Sequence, residues 1–145
     1  MNTTLGARFT PTWQGKPPHM SPEDLGIWLR WRATLYPHAQ ALYFDVGVGS
    51  PPTPAGWVSP KLQLGWLRLN QRRIDVVADL GDSALIIELR HDATPNAVGR
   101  LLAYQQLWGD DDPLGVPAEL VLITDLERPD MRRLCFSNHI QYQVV

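Results

Sequence analysis

Cysteine and lysine are scarce in this chain. Its 145 residues include one cysteine, Cys135, which excludes an intrachain disulfide and is compatible with a reducing compartment. We predict that Cys135 is a small buried hydrophobic side chain rather than a nucleophile. Lysine occurs twice and arginine eleven times, so arginine supplies almost all of the positive charge.

Long hydrophobic runs are also missing. No apolar stretch approaches the ~18 residues that a membrane span needs, and the N-terminus, MNTTLGARFT, lacks the apolar region of a signal peptide. We therefore expect an intracellular protein, in the cytoplasm or in an assembly built inside a cell, without membrane contact. The formal net charge of -2 gives no sign of general polyanion binding, so contact with DNA would require a local basic patch.

Several catalytic signatures are absent as well. No Ser-His-Asp or Cys-x-x-Cys arrangement can be argued from the positions of these residues. The stretch GVGSPP lacks the Lys-Ser/Thr that completes a phosphate-binding loop. A chemical site must therefore be sought among the acidic and basic residues.

The chain is long enough for one domain with a substantial core. Residues 1–20 show no helical or strand periodicity, and we predict an extended arm that either lies across the domain or reaches a partner. Residues 21–145 are predicted to form a single domain. The proline-dense segment 50–60 is predicted to be a loop and, with the arm, a candidate contact surface for a protein partner.

Helical and strand patterns alternate along the domain. The first helix is predicted to begin at Ser21 and end before Pro37, with Leu25, Trp28, Leu29 and Arg32 on its inner face and Trp31 more open. Residues 61–71 are ambiguous between strand and short helix, and 127–134 between loop and helical turn. The other predicted elements are strands over 41–49, 73–80, 83–90, 118–126 and 139–145 and a helix over 94–109. This order predicts an α/β fold with a central mixed sheet flanked by helices.

The stretch RRIDVVADLGDSALIIELRHD, residues 72–92, predicts a β-hairpin. A two-residue turn at Gly81-Asp82, with glycine first, is typical of a type II′ turn. With this turn, the residue numbers of two cross-strand partners sum to 163. One face is then almost wholly apolar, formed by Ile74, Val76, Ala78 and Leu80 opposite Leu89, Ile87, Leu85 and Ser83. The other face pairs Asp75 with Glu88 and Arg73 with Arg90, beside the pairs Val77–Ile86 and Asp79–Ala84.

Directly opposed carboxylates destabilise a sheet unless a positive charge joins them. Two explanations are open from this geometry. In one, Asp75 and Glu88 hold a hard cation such as Mg²⁺, which takes one or two carboxylates together with water and phosphate oxygens. In the other, diagonal ion pairs Arg73–Glu88 and Asp75–Arg90 neutralise the cluster without a metal.

These residues resemble the signatures of the PD-(D/E)XK nuclease superfamily. The pattern RIDVV, then LIIELR, then a helix containing AVGRLLAY is similar in order and spacing to that family's Asp, (Asp/Glu)-x-Lys and Gln-x-x-x-Tyr motifs. The helix–strands–helix–strand succession from about residue 21 to 125 also resembles its restriction-endonuclease-like fold. The resemblance covers most of the chain.

The resemblance implies roles for particular residues. Asp75 and Glu88 would bind Mg²⁺ or Mn²⁺, with the Leu89 carbonyl as a third ligand, and Glu23 would be the extra acidic residue that some members place on the first helix. Arg90 would act beside the scissile phosphate. Arg73, Arg100 and Tyr104 would line the site, and DNA would be the substrate.

Two departures from the family pattern affect the expected chemistry. Arg90 stands where the family has lysine, and Arg100 stands where it has glutamine. An arginine can hold phosphate through two hydrogen bonds but is a poor general base, because its pKa lies above ~12.

Two functions therefore follow from the resemblance. One is metal-dependent phosphodiester hydrolysis on DNA, or a DNA-processing role. The alternative is an inactive descendant of the fold that serves as a structural or docking component, for example in a tailed-phage neck or head-completion assembly, where the protein would be part of the virion and could be oligomeric.

Overall fold

A computed structural model describes residues 2–35, 38–51, 56 and 59–145, and within them five strands and four helices form one α/β arrangement. This confirms the predicted fold class. The elements in chain order are α1 (Pro22–Leu35), β1 (Ala41–Val48), α2 (Pro60–Asn70), β2 (Arg72–Asp79), β3 (Ala84–Arg90), α3 (Pro95–Asp111), β4 (Ala118–Thr124), α4 (Pro129–Ser137) and β5 (Ile140–Val144).

The strands form one mixed sheet in the order β1-β2-β3-β4-β5. β1, β2 and β3 are antiparallel neighbours, whereas β3, β4 and β5 are parallel. The parallel pairs are connected through α3 and α4, because parallel neighbours need a crossover. The antiparallel half is built around the β2–β3 hairpin.

Two hydrophobic layers cover the sheet. The α1 core joins Ile27, Trp28 and Trp31 to one face, and the α3–α4 core joins side chains such as Leu101 and Met131 to the other. In β4, Leu120 and Leu122 belong to the α3–α4 core, and Val121 and Ile123 to the α1 core. β4 is therefore buried on both faces. Cys135 is buried in the α3–α4 core, as predicted.

The inner face of α1 differs from the prediction. Ile27, Trp28 and Trp31 are buried, whereas Leu29 is 48% exposed. The predicted stripe was therefore rotated around the helix, and the expectation that Trp31 is open was wrong. Arg32 reaches back to the arm, where its Nη2 donates to the Pro11 carbonyl at 2.7 Å.

Serine caps explain two helix starts. The Ser21 hydroxyl accepts a hydrogen bond from the Asp24 amide, and the Ser59 hydroxyl accepts one from the Leu62 amide, both at 3.1 Å. A proline follows each serine at the first helical position, where its missing N–H is not needed. The second start settles the ambiguous segment 61–71 as helix α2. The segment predicted as a loop or turn at 127–134 lies largely within α4.

Residues 2–20 run without a helix, and two isolated bridges, Thr4–Gly47 and Phe9–Leu42, attach them to β1. The Phe9 ring lies 4.3 Å from Trp13 and 5.3 Å from Phe44, centroid to centroid. Of the predicted loop 50–60, residues 52–55, 57 and 58 lie outside the described residues. No described helix is long and apolar enough to cross a membrane.

Candidate functional site

The β2–β3 hairpin has the predicted register over four pairs, but the predicted pairs Asp75–Glu88 and Arg73–Arg90 are not part of the ladder. Val76 pairs with Ile87, Val77 with Ile86, Ala78 with Leu85 and Asp79 with Ala84. The turn has Gly81 at a φ of +92°, which fits the first turn position of type II′, and the Leu80 amide donates to the Ser83 carbonyl at 2.9 Å. The turn therefore fixes the pairing as far as Val76–Ile87, and Asp75 and Glu88 lie beyond the regular ladder.

Ladder pairing changes at Asp75. The β1–β2 ladder passes from Phe44–Val76 to Val46–Ile74 and omits the pair Asp45–Asp75. Asp45 has a φ of +52°, a left-handed conformation that is uncommon outside glycine. In place of a regular strand pair, Oδ2 of Asp75 accepts a hydrogen bond from the Leu89 amide at 2.8 Å.

The same irregularity corrects one predicted face. The sequence places Ile74 with Val76 on the apolar face, but Ile74 belongs to the α3–α4 core and Val76 to the α1 core. Strict alternation would give both the same side. The left-handed Asp45 in the neighbouring strand marks the point at which alternation is lost.

Glu88 is the most deeply buried acidic residue of the site. Its side chain is 1% exposed, although it lies in the middle of β3. Oε1 contacts the Arg90 guanidinium at 2.5 Å and lies 4.0 Å from that of Arg100. Oε2 is buried and has no hydrogen-bond partner in the part of the chain that the structure describes. An unpaired buried carboxylate oxygen is costly.

Burial disfavours the charged forms of both acids, and the charge of Asp75 adds to this effect at Glu88. Burial, followed by the charge of Asp75, raises the pKa of Glu88 to about 8 against the opposing effect of Arg90 and Arg100. Burial also raises the pKa of Asp75 to about 6, although the Leu89 amide and Arg90 act in the opposite direction. A cation placed between the carboxylates would favour their ionised forms, as any opposite charge does.

The two predicted diagonal ion pairs, Arg73–Glu88 and Asp75–Arg90, are not formed among the described residues. Arg90 contacts Glu88 rather than Asp75. Arg73 lies 3.9 Å from the Asp45 carboxylate, and it donates to the carbonyls of Asp45, at 3.0 Å, and Arg68. No ion pair between Arg73 and Glu88 is present among the described residues. The reason is the irregular β1–β2 pairing, which presents the Asp45 carbonyl to Arg73.

The acidic residue that α1 contributes near the hairpin is Asp24. Its negative charge raises the pKa values of Asp75 and Glu88. Glu23 instead lies 3.7 Å from His91, whose Nδ1 is 2.7 Å from Asp125. The sequence contained a usable signal, since Asp24 lies one helical turn before buried Trp28. A small crevice of about 30 Å³ is lined by Pro18, His19, Met20, Asp24, Asp45 and Asp75.

Helix α3 brings Arg100 and Tyr104 to the same region. Tyr104 is 2% exposed, and burial, followed by the charge of Glu88, raises its pKa to about 12. The hydroxyl is therefore a neutral hydrogen-bonding group at ordinary pH. Arg100 is half-exposed and lines, with Tyr104 and Arg73, a cavity of about 460 Å³.

The donor set suits a hard cation with few protein ligands. Among the described residues no group of three or more His, Cys, Asp or Glu side chains is arranged to hold a metal. Asp75 and the unpaired Oε2 of Glu88 would supply carboxylate oxygens, and Mg²⁺ commonly completes its shell with water and substrate phosphate. The Leu89 carbonyl, the third ligand implied by the resemblance, accepts from Arg90 at 3.3 Å.

Comparisons of the sequence with known proteins add no family assignment, because no family model matches the chain and no curated protein is significantly similar to it.

Proposed function

We propose that this protein is a PD-(D/E)XK-like, metal-dependent nuclease domain in which Asp75 and Glu88 hold Mg²⁺ or Mn²⁺. The observation that supports this most directly is the buried, unpartnered Oε2 of Glu88 beside a second carboxylate. A buried acid with a free oxygen and a like-charged neighbour is costly in a purely structural role. Such pairs are a recognised mark of functional sites.

The protein's own residues would position the substrate. In hydrolysis a water oxygen bonds to phosphorus and the bond from phosphorus to the leaving oxygen breaks. A bound divalent cation would acidify water and offset charge on the phosphate. Arg90, at the end of β3 and half-buried, keeps donors beyond the one that contacts Glu88 and could hold phosphate oxygens with them.

The Arg90–Glu88 contact supports a second candidate. At 2.5 Å, the guanidinium gives Glu88 a protein cation in place of a metal. In that form the domain would be an inactive nuclease fold that acts as a structural or docking component.

Nicking of supercoiled plasmid with Mg²⁺ or Mn²⁺ tests the first candidate. We expect cleavage by the wild type, and a loss of about two orders of magnitude in rate for Asp75→Asn and Glu88→Gln, because each removes an anionic ligand. Asp82→Asn is the matched control, since Asp82 is exposed at the opposite end of the same hairpin. Arg90→Lys should keep measurable activity, because it retains the positive charge.

Two results would favour the second candidate. One is an inert wild type whose Arg90→Lys variant gains no activity. The other is cleavage that survives unchanged in Glu88→Gln, which would point to a contaminating nuclease and leave the carboxylates without a catalytic role.

A further inference from the structure

A basic cavity lies beside the carboxylates and is formed by different elements. The end of β1, the start of β2, the α2 C-terminus and one face of α3 enclose about 460 Å³, a volume in the usual range for small-ligand sites. Arg72, Arg73 and Arg100 line it, and no aspartate or glutamate of the described residues does. In a chain of net charge -2, this is a local concentration of positive charge.

The three arginines differ in how far they are engaged. Arg73 is held by the carbonyls of Asp45 and Arg68, and Arg100 lies 4.0 Å from Glu88. The exposed Arg72 guanidinium makes no hydrogen bond or ion pair within the described part of the chain. The cavity therefore has one anchored cation and at least one free to bind an anion.

The wall of the cavity is fixed by a buried amide. Gln71 is 6% exposed, and its Nε2 donates to the carbonyls of Gly49, at 3.1 Å, and Asn2, while its Oε1 accepts from Thr4 at 2.9 Å. A Cβ at Gly47 would lie 2.3 Å from that Oε1, so glycine leaves room for the amide. This network ties the arm, β1 and the start of β2 into one rigid edge.

We propose that this cavity binds a phosphate monoester, either the terminal phosphate of a nucleic-acid strand or a free nucleotide. Guanidinium groups bind phosphate oxygens in pairs of hydrogen bonds, and several of them match a group with a charge of about -1.5 to -2 better than a singly charged diester. The partly buried side chain of Leu107 also lines the cavity and offers an apolar surface for a sugar or base. The inference rests on the proposed function for its nucleic-acid ligand, and it would make the enzyme one that recognises strand ends.

Fluorescence anisotropy in EDTA, with short single-stranded oligonucleotides bearing a 5′-phosphate, a 3′-phosphate or neither, tests the site without catalysis. We expect one terminal phosphate to tighten binding about tenfold, and Arg72→Ala to remove most of that gain. Arg133→Ala is the matched control, because Arg133 is an exposed arginine on α4 outside the cavity. Competition by a deoxynucleoside monophosphate as strong as that of the phosphorylated strand would identify the free nucleotide as the ligand.

Equal affinity for phosphorylated and unphosphorylated strands would overturn the proposal, as would equal losses in Arg72→Ala and Arg133→Ala. The failure of the proposed function gives a different result. If the phosphate preference persists in EDTA but the wild type never cleaves DNA with Mg²⁺ or Mn²⁺, the phosphate-binding proposal is supported and the nuclease proposal is contradicted. Glu88→Gln should lower the cleavage rate by about two orders of magnitude and keep the phosphate preference.

Discussion

Glu88 combines burial, a close arginine and a free oxygen in one side chain. The Arg90 contact at 2.5 Å favours its charged form, whereas burial and Asp75 favour its protonated form and prevail. The acid is therefore set to change its charge within the ordinary working range of pH. Two measurable consequences follow, one for stability and one for metal binding.

The stability of the protein should depend on pH through these acids. Their pKa values are raised from 3.8 to about 6 and from 4.5 to about 8, so the folded protein binds protons that the unfolded chain has released. This contribution is complete below the unfolded values and is lost as pH rises through the folded ones. In urea denaturation, the free energy of unfolding of Glu88→Gln minus that of wild type should increase from pH 5 to pH 8, by on the order of 2 kcal/mol.

The control for that measurement is Glu119→Gln, which alters an exposed carboxylate. Its difference from the wild type should stay constant over the same pH interval. Parallel pH profiles for Glu88→Gln and wild type would contradict the raised pKa of Glu88.

Cation binding should also depend on pH. Metal ligands must lose their protons, so calorimetric titration should show Mn²⁺ binding about tenfold or more tighter at pH 8 than at pH 6. Asp75→Asn should weaken binding at both values, and Asp82→Asn should not. Identical titrations for Asp75→Asn and wild type would exclude Asp75 as a ligand.

At the scale of elements, α1 and α2 begin alike and differ in packing. Each has a serine cap and a following proline, but α1 buries Ile27, Trp28 and Trp31 whereas α2 has no buried residue. Most helical stability in proteins comes from packing of an apolar face. The same local change should therefore have different global effects in the two helices.

Removing each cap tests this difference. Ser21→Ala should lower the free energy of unfolding by about 1 kcal/mol, because α1 unfolds with the core. Ser59→Ala should have a smaller effect on global unfolding and instead speed amide hydrogen exchange within α2. Equal losses of global stability would show that α2 unfolds together with the core.

The elements that the sequence predicted clearly are those with strong local signals. The Gly81 turn fixed the hairpin register, and Ser21-Pro22 fixed the start of α1. Segment 61–71 was ambiguous because α2 has no buried face to impose a helical period. Asp24 was missed as a neighbour of Asp75 because the predicted inner face of α1 was rotated, although its spacing from Trp28 was a usable signal. Asp45 was missed because its left-handed backbone leaves no periodic pattern in the sequence.

At the scale of the whole molecule, the arm changes the exposure of one sheet edge. Backbone hydrogen bonds from Thr4 and Phe9 satisfy groups on β1, whereas β5 pairs with β4 alone within the described chain. Unpaired edges can recruit other strands. The arm therefore packs Phe9 and Trp13 against Phe44 and covers part of the β1 edge of the sheet.

Phe9→Ala should destabilise the protein by about 2 kcal/mol, because it removes a partly buried ring from contact with Trp13 and Phe44. Gln14→Ala, an exposed change in the same arm, is the control. Chemical denaturation measures both, and a Phe9→Ala variant as stable as Gln14→Ala would show that the arm is not part of the cooperative unit.

Asp45 shows how stability and local geometry oppose each other. Its left-handed backbone, at a φ of +52°, costs a residue with a side chain about 1–2 kcal/mol, and glycine would avoid that strain. Substitution with glycine would also delete the carboxylate near Arg73 and His19. Selection for thermostability would therefore favour glycine at position 45. The selected variants would be more stable and would have lost the local geometry beside Asp75.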